Sequence, residues 1–206
     1  MNFWAVNPVW QNFSSLFREA VAAADLRTGM ERSHHLTGSL YFGIAALEAF
    51  LNQKMRAHLS ATKSEKEIYD VLRKGEIKSK VKKWPTKLVG KPLALNTDTP
   101  ALIECYNNLR ANLTHPKTDG HDIYGDLESV DPYSVVDAIA EYVVRFHEAG
   151  GNAVSLLDSW VELLQSRPQL VRNFYQQRSA VLVLSPGAWV SGPSGSAWRG
   201  GVLARP

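Results

Sequence analysis

An arginine and a histidine stand five positions apart in the stretch Tyr106-Asn107-Asn108-Leu109-Arg110-Ala111-Asn112-Leu113-Thr114-His115-Pro116-Lys117. A guanidinium is always charged and holds a phosphate through a fork of hydrogen bonds. An imidazole titrates near neutrality and moves a proton to or from a reacting group. Together Arg110 and His115 are a minimal kit for cutting a phosphodiester without a metal. Asn108 and Asn112 lie close to both in sequence. Both members of the pair also have plain structural readings, Arg110 in a surface salt bridge and His115 as a helix C-cap.

The element that must position them starts at Thr99-Pro100, a strong helix start, and runs to about residue 114, with Pro116 as its stop. Leu102, Tyr106, Leu109 and Leu113 make its apolar stripe, and Arg110 falls beside that stripe, near the surface. On an ideal helix His115 points about 140° away from Arg110, at roughly 100° per residue. The two converge only if the last turn unwinds, as the residue before a proline tends to do.

The rest of the chain reads as helices around this one. Residues 8–27 form a helix capped by Asn7, with Trp10, Phe13, Phe17, Val21 and Ala24 in the core and Gly29 ending it. Residues 31–59 form the longest helix, with Leu36, Leu40, Ile44, Leu47, Leu51, Met55 and Leu59 on one face. Gly43, Ala45, Ala46 and Ala49 let a neighbour come close. Glu48 and Asn52 are the polar pair inside its most apolar part. A carboxylate there is paired or near water; it either orients Arg110 from across the bundle or sits at the surface beside the stripe. His34 and His35 diverge on a helix and make no ready metal site. Residues 64–73 form a short helix ended by Gly75. Residues 76–91 are basic, with Trp84 among lysines and Pro85 breaking any helix. Trp84 either stacks on a base or anchors a loop on the bundle, the second reading being favoured.

Residues 117–130 read as a polar loop, where Asp119, His121 and Asp122 are only a weak metal set. Asp131-Pro132 opens a helix to about Ala149, with Val135, Ile139, Val143 and Phe146 inward and Gly150-Gly151 as its end. Asn152 to Gln165 makes one more, carrying Leu156, Trp160 and Leu164, and a short piece follows Pro168. Every long periodic segment is helical. The expected architecture is all-α, an up-and-down bundle of four to five main helices over residues 1–178. Residues 179–206, rich in Gly, Ser and Pro, are expected to form a poorly ordered tail.

Composition narrows the class. A chain of 206 residues builds one well-buried core. No apolar run approaches the roughly 18 residues of a membrane span, and the N-terminus lacks a secretion signal. A single cysteine, Cys105, makes no internal disulfide, in keeping with a reducing cytoplasm. Residues 63–91 carry ten Lys and Arg against four Asp and Glu, a surplus of six, in a chain whose net charge is +3, so the remainder is net −3. This segment is either a surface for a polyanion such as RNA or a solvated helix face. No Gly-rich phosphate loop, paired-Cys zinc spacing or Ser-His-Asp set is present.

Leu109-Arg110-Ala111-Asn112-Leu113-Thr114-His115-Pro116-Lys117 resembles the Arg–x4–6–His signature of HEPN domains (higher eukaryotes and prokaryotes nucleotide binding), here with four intervening residues. Tyr41-Phe42-Gly43-Ile44-Ala45-Ala46-Leu47-Glu48-Ala49-Phe50-Leu51-Asn52 and Val81-Lys82-Lys83-Trp84-Pro85-Thr86-Lys87-Leu88-Val89-Gly90-Lys91 resemble one bacterial branch of that superfamily, so the likeness spans about residues 35–117. It implies a metal-independent endoribonuclease without cofactor, a cytoplasmic toxin or phage-defence protein acting as a homodimer, with an antitoxin as a possible protein partner. By analogy Arg110 holds the scissile phosphate and His115 is the general base or acid. Asn108 and Asn112 are candidate phosphate or base contacts, Glu48 supports the site, and Lys82 and Lys83 guide the RNA backbone. The alternative it allows is a non-catalytic dimerising module that binds RNA or nucleotide; a plain helical interaction protein is the third reading. Ala111 stands where members usually carry a polar residue, and Lys117 where some toxins carry a tyrosine.

Overall fold

Asn7 and Pro8 start the first helix as the sequence requires. The Asn7 side-chain oxygen accepts the Val9 N–H at 3.0 Å, and Pro8 fills a position with no helical donor to lose. The computed structural model describes residues 7–115, 123–151, 190–191 and 197–198. Among these residues the helices are α1 (Pro8–Asp25), α2 (Met30–Leu59), α3 (Glu65–Lys74), α4 (Ile77–Val89), α5 (Thr99–Thr114), α6 (Ile123–Glu128) and α7 (Pro132–Ala149). The chain divides into two compact units, Met1–Ser166 and Arg167–Pro206. The seven helices belong to the first, which is an all-α bundle. In the second, β1 (Val190–Ser191) pairs antiparallel with β2 (Ala197–Trp198). The division falls earlier than the composition change after Arg178. The helix expected over 152–165, the piece after Pro168 and the rest of the 179–206 tail lie outside the described residues.

The long helix α2 is the centre of the bundle, touching each of the other six. All seven of its expected core residues, Leu36 through Leu59, are buried. At about 1.5–3 kcal/mol for each fully buried aliphatic side chain, this stripe is a dominant stabilising contribution. Gly43 lies where three helices meet. A Cβ there would stand 3.2 Å from Val135 Cγ1 and 3.4 Å from Leu16 Cδ1, so a larger residue would push these side chains by a few tenths of an ångström, and glycine lets α1 and α7 close on α2 without that shift.

Several boundaries and faces differ from expectation. The α1 stripe is Val9, Phe13, Leu16, Phe17, Ala20 and Ala23, whereas Val21 and Ala24 are half-buried and Trp10 is 40% exposed. The seam along α2 takes alanines where a tryptophan would wedge the helices apart. Gly29 belongs to the start of α2, at φ 108°, not to the end of α1. In α5 the inward positions include Ile103, while Leu102 and Leu113 are only half-buried. Residues 123–128, expected as loop, form α6, with Leu127 fully buried. Its end is tied down by Glu128, whose carboxylate accepts from Ser33 Oγ and from Arg32 Nη1 at 2.8 Å. Arg32 also donates to the carbonyls of Glu128 and Val130.

Pro85 does not break a helix: α4 continues past it. A proline inside a helix removes one N–H and strands the carbonyl four residues earlier. That carbonyl belongs to Val81, and the Tyr142 hydroxyl on α7 donates to it at 2.9 Å. Tyr142 is fully buried, and burial pushes its phenol far above the ordinary tyrosine value, so it stays a donor. A second buried polar contact fixes α5. Glu141, 6% exposed, accepts the Asn96 backbone N–H at 2.7 Å and the Thr99 hydroxyl.

Tyr142→Phe keeps the ring and leaves the Val81 carbonyl unpaired, a loss of about 1–3 kcal/mol. Pro85→Ala returns an N–H to that carbonyl. Urea unfolding should therefore show Tyr142→Phe costing less when combined with Pro85→Ala than when made alone. A second expectation concerns acid. Burial alone would raise the Glu19 carboxyl, but hydrogen bonds from His35 and Arg18 outweigh it and hold the group below the ordinary value. The Ser33 hydrogen bond, then Arg32, lowers Glu128 likewise. A carboxyl lowered in the folded state adds stability above the unfolded value, about pH 4.3, and loses it as pH falls through the lowered one. Melting temperature should therefore fall on acidification below about pH 4.3, and less steeply in Glu128→Gln than in the wild type.

Candidate functional site

Arg110 leaves α5 from the face that meets Tyr41, twelve residues into α2. Its guanidinium carbon stands 5.9 Å from the centroid of the Tyr41 ring, within cation–π range, and Nη2 donates to Asn107 Oδ1 at 3.2 Å. Asn107 is one turn earlier on the same helix face. One turn later, Thr114 Oγ1 donates to the Arg110 carbonyl at 3.0 Å and meets the Tyr41 hydroxyl in a short hydrogen bond. Tyr41 is thus held at its oxygen while its ring carries the arginine. Arg110 is half-buried, and among the described residues Asn107 takes one of its five N–H donors, leaving others for an anion.

His115 follows directly. It is exposed and caps the helix, its N–H bonded to the Ala111 carbonyl at 2.8 Å and its backbone at φ −137°, ψ 77°. The helix therefore holds through Thr114 and unwinds at His115 itself, the residue before Pro116, as the pre-proline clash favours.

Asn108 and Asn112 do not join Arg110. Each is two positions from it, about 200° around the helix, which puts both on the opposite face. There they line an open groove of about 550 Å³ with Glu104, Cys105, Asp126 and Ser129. Their nearness in sequence is a separation in space. Glu48 does not orient Arg110 either. It lies seven residues beyond Tyr41, about 10 Å further along α2, and its Oε1 accepts from Lys80 Nζ at 2.8 Å. Lys80 is 1% exposed, so a residue counted among the surface cations is a buried partner of α2.

The basic helix is similarly engaged elsewhere. Lys78 and Lys82 both reach Glu104, Lys82 at 3.2 Å. Lys87 Nζ stands 5.2 Å over the Trp84 ring, whose edge meets His58, so Trp84 packs on the bundle. Lys83 is exposed. Among the described residues no group of three or more His, Cys, Asp or Glu is placed to hold a metal, and no helix is long and apolar enough to cross a membrane. Asp119, His121 and Asp122 lie outside the described residues. The sequence reading missed Tyr41, Asn107 and Thr114. The spacing of Asn107 and Thr114, three and four residues from Arg110, points to the last two; Tyr41 had no signal beyond its place at the head of the Tyr41–Asn52 stretch in the longest helix.

Comparison of the chain with protein-family models, with curated proteins and with solved structures finds no match.

The Tyr41–Arg110 contact is open to direct measurement. Both Tyr41→Ala and Arg110→Ala should lower stability, and their double-mutant cycle should return a coupling of about 0.5–1 kcal/mol. A coupling of zero would mean the ring does not hold the guanidinium.

Proposed function

We propose that this chain is a metal-independent endoribonuclease in which Arg110 and His115 act on one phosphodiester. The observation that carries the reading is the Arg110 guanidinium, seated on Tyr41 with donors to spare, shortly before an exposed, non-helical His115. The likeness of residues 35–117 to HEPN domains supports it. In this reading Arg110 holds the non-bridging oxygens and stabilises the charge that builds on them. His115 takes the proton from the 2′-hydroxyl or gives one to the leaving 5′-oxygen. The strand then ends in a 2′,3′-cyclic phosphate and a 5′-hydroxyl. A second copy of the chain, facing the first, supplies a second Arg–His pair, so that one histidine serves as base and the other as acid. Tyr41, Asn107 and Thr114 take the place of Glu48 as the residues that position Arg110, and Asn108 and Asn112, read as phosphate or base contacts, lie away from it. The biological role proposed is that of a cytoplasmic toxin or phage-defence protein, with an antitoxin as partner.

One observation favours the non-catalytic reading: the Asn108–Asn112 groove offers amides for a ligand on the face away from Arg110. The two readings part in one assay. Purified protein in EDTA should cut a mixed-sequence RNA to cyclic-phosphate ends. His115→Ala should lower the rate by about 10²–10⁴, the usual share of a general acid or base, and Arg110→Ala by a similar factor. Arg110→Lys should recover only part, since an ammonium lacks the fork. RNA binding without cleavage, unchanged in these variants and lost in Asn112→Ala, would establish the binding module instead.

A further inference from the structure

We propose that Lys78 and Lys82 form a clamp for a backbone phosphate of single-stranded RNA, and that Glu104 fills this clamp as a built-in competitor. The proposal rests on the reading of RNA as the substrate. The two lysines are one turn apart on α4, and they reach different oxygens of the same carboxylate, Lys78 at Oε1 and Lys82 at Oε2. Two ammonium groups are thereby spaced around an anion with two equivalent oxygens, which is what a phosphodiester presents.

Three features make the exchange of carboxylate for phosphate feasible. The lysine side chains are 51% and 53% exposed and Glu104 is 30% exposed, so the clamp opens to solvent. Ion pairs of this kind contribute little net stability because water and salt compete for both partners. The trio keeps one uncancelled positive charge, which attracts a polyanion while Glu104 is still in place. The hydrogen bond from Lys78, then that from Lys82, holds the Glu104 carboxyl below its ordinary range, so the competitor is fully charged at neutral pH.

The space beneath decides what kind of ligand fits. Between α4 and α5, under the ion pairs, lies a cavity of about 20 Å³ lined by Ile77, Val81, Pro100 and Ile103. That is room for a single water molecule. No base enters it, so the ligand is a phosphate held at the surface. Asn107 lines the same cavity and accepts from Arg110. Glu104 and Arg110 are six residues apart on α5, about 9 Å along its axis and about 120° around it, so a strand that engages both must curve around the helix. Of the other α4 cations, Lys80 is buried against Glu48 and Lys87 lies over Trp84, while Lys83 is exposed.

The test is fluorescence anisotropy of a labelled single-stranded RNA with the full chain carrying His115→Ala, so that the strand stays intact. Glu104→Gln should tighten binding about two- to fivefold, the scale of one exposed charge contact, and steepen its salt dependence. Lys78→Gln/Lys82→Gln should weaken binding and reduce the logarithmic salt slope by about one. The gain from Glu104→Gln should vanish in the triple variant. A gain that persists there is a general charge effect and overturns the clamp, as does no gain at all. Competition by a polyglutamate peptide as effective as unlabelled RNA would assign the clamp to an acidic protein and overturn the phosphate. If the double lysine variant melts early, Lys82→Gln alone carries the same expectation at about half the slope change. Cleavage by wild-type chain in EDTA reports separately on Arg110 and His115. Cleavage without the Glu104 effect sinks the clamp alone, the Glu104 effect without cleavage sinks the nuclease alone, and absence of RNA binding sinks both.

Discussion

The carbonyl of Val81 has no helical donor because residue 85 is a proline, and the Tyr142 hydroxyl has no water because its ring is fully buried. Each group would be costly alone, and each satisfies the other. The bond does more than balance two polar atoms. It ties one point of the α4 backbone to the middle of α7 and so fixes the rotation of α4 about its own axis. Residues on either side of Val81 are then about 100° from it. Lys80 turns in, to Glu48 on α2, and Lys82 turns toward α5. The charge pattern of the basic segment follows from where a neutral hydroxyl meets a neutral carbonyl.

That placement changes what the basic segment is. In sequence it is a surplus of positive charge on one stretch. In the fold, Lys80 is a core residue, Lys78 and Lys82 share one carboxylate, and Lys87 lies over an indole. Much of the apparent surplus is engaged in holding α4 against its neighbours. A count of lysines measures the field a distant polyanion feels, whereas the contacts it makes on arrival depend on which lysines exchange partners readily. The same distinction applies to Arg110, whose donors are oriented by Asn107 and Tyr41 instead of being neutralised by a carboxylate on the described residues.

Helix existence was legible because apolar periodicity and caps act locally. Asn7-Pro8, Ser64 with Glu67, and Asp131-Pro132 each start a helix where the sequence places one. The seven residues expected on the α2 stripe are all buried, and Phe50 is buried beside them without having been expected, because a helix packed on several sides buries more than one stripe. What failed depended on partners distant in the chain. The α1 face was misjudged by giving a tryptophan more weight than alanines, and Pro85 was taken as a break because Tyr142, fifty-seven positions on, was not visible as its remedy. The candidate site failed by the same logic in miniature. Asn108 and Asn112 are near Arg110 in sequence but on the far side of α5, while Tyr41, from another helix, lies beneath it. Linear proximity stands for spatial proximity at three or four residues and misleads at two.

Helix α5 is consequently a wall with two decorated sides. One side carries Arg110, Asn107 and Thr114 toward Tyr41, and the other carries Asn108 and Asn112 along the groove against α6. The buried residues Ile103, Tyr106 and Leu109 hold the wall upright, and Glu141 pins its foot. The two sides meet toward α4, where Asn107 and Asn108 line the same small cavity. Substitutions along this single helix therefore sort into two groups by the side they face. One helix of sixteen residues thus presents two distinct polar surfaces.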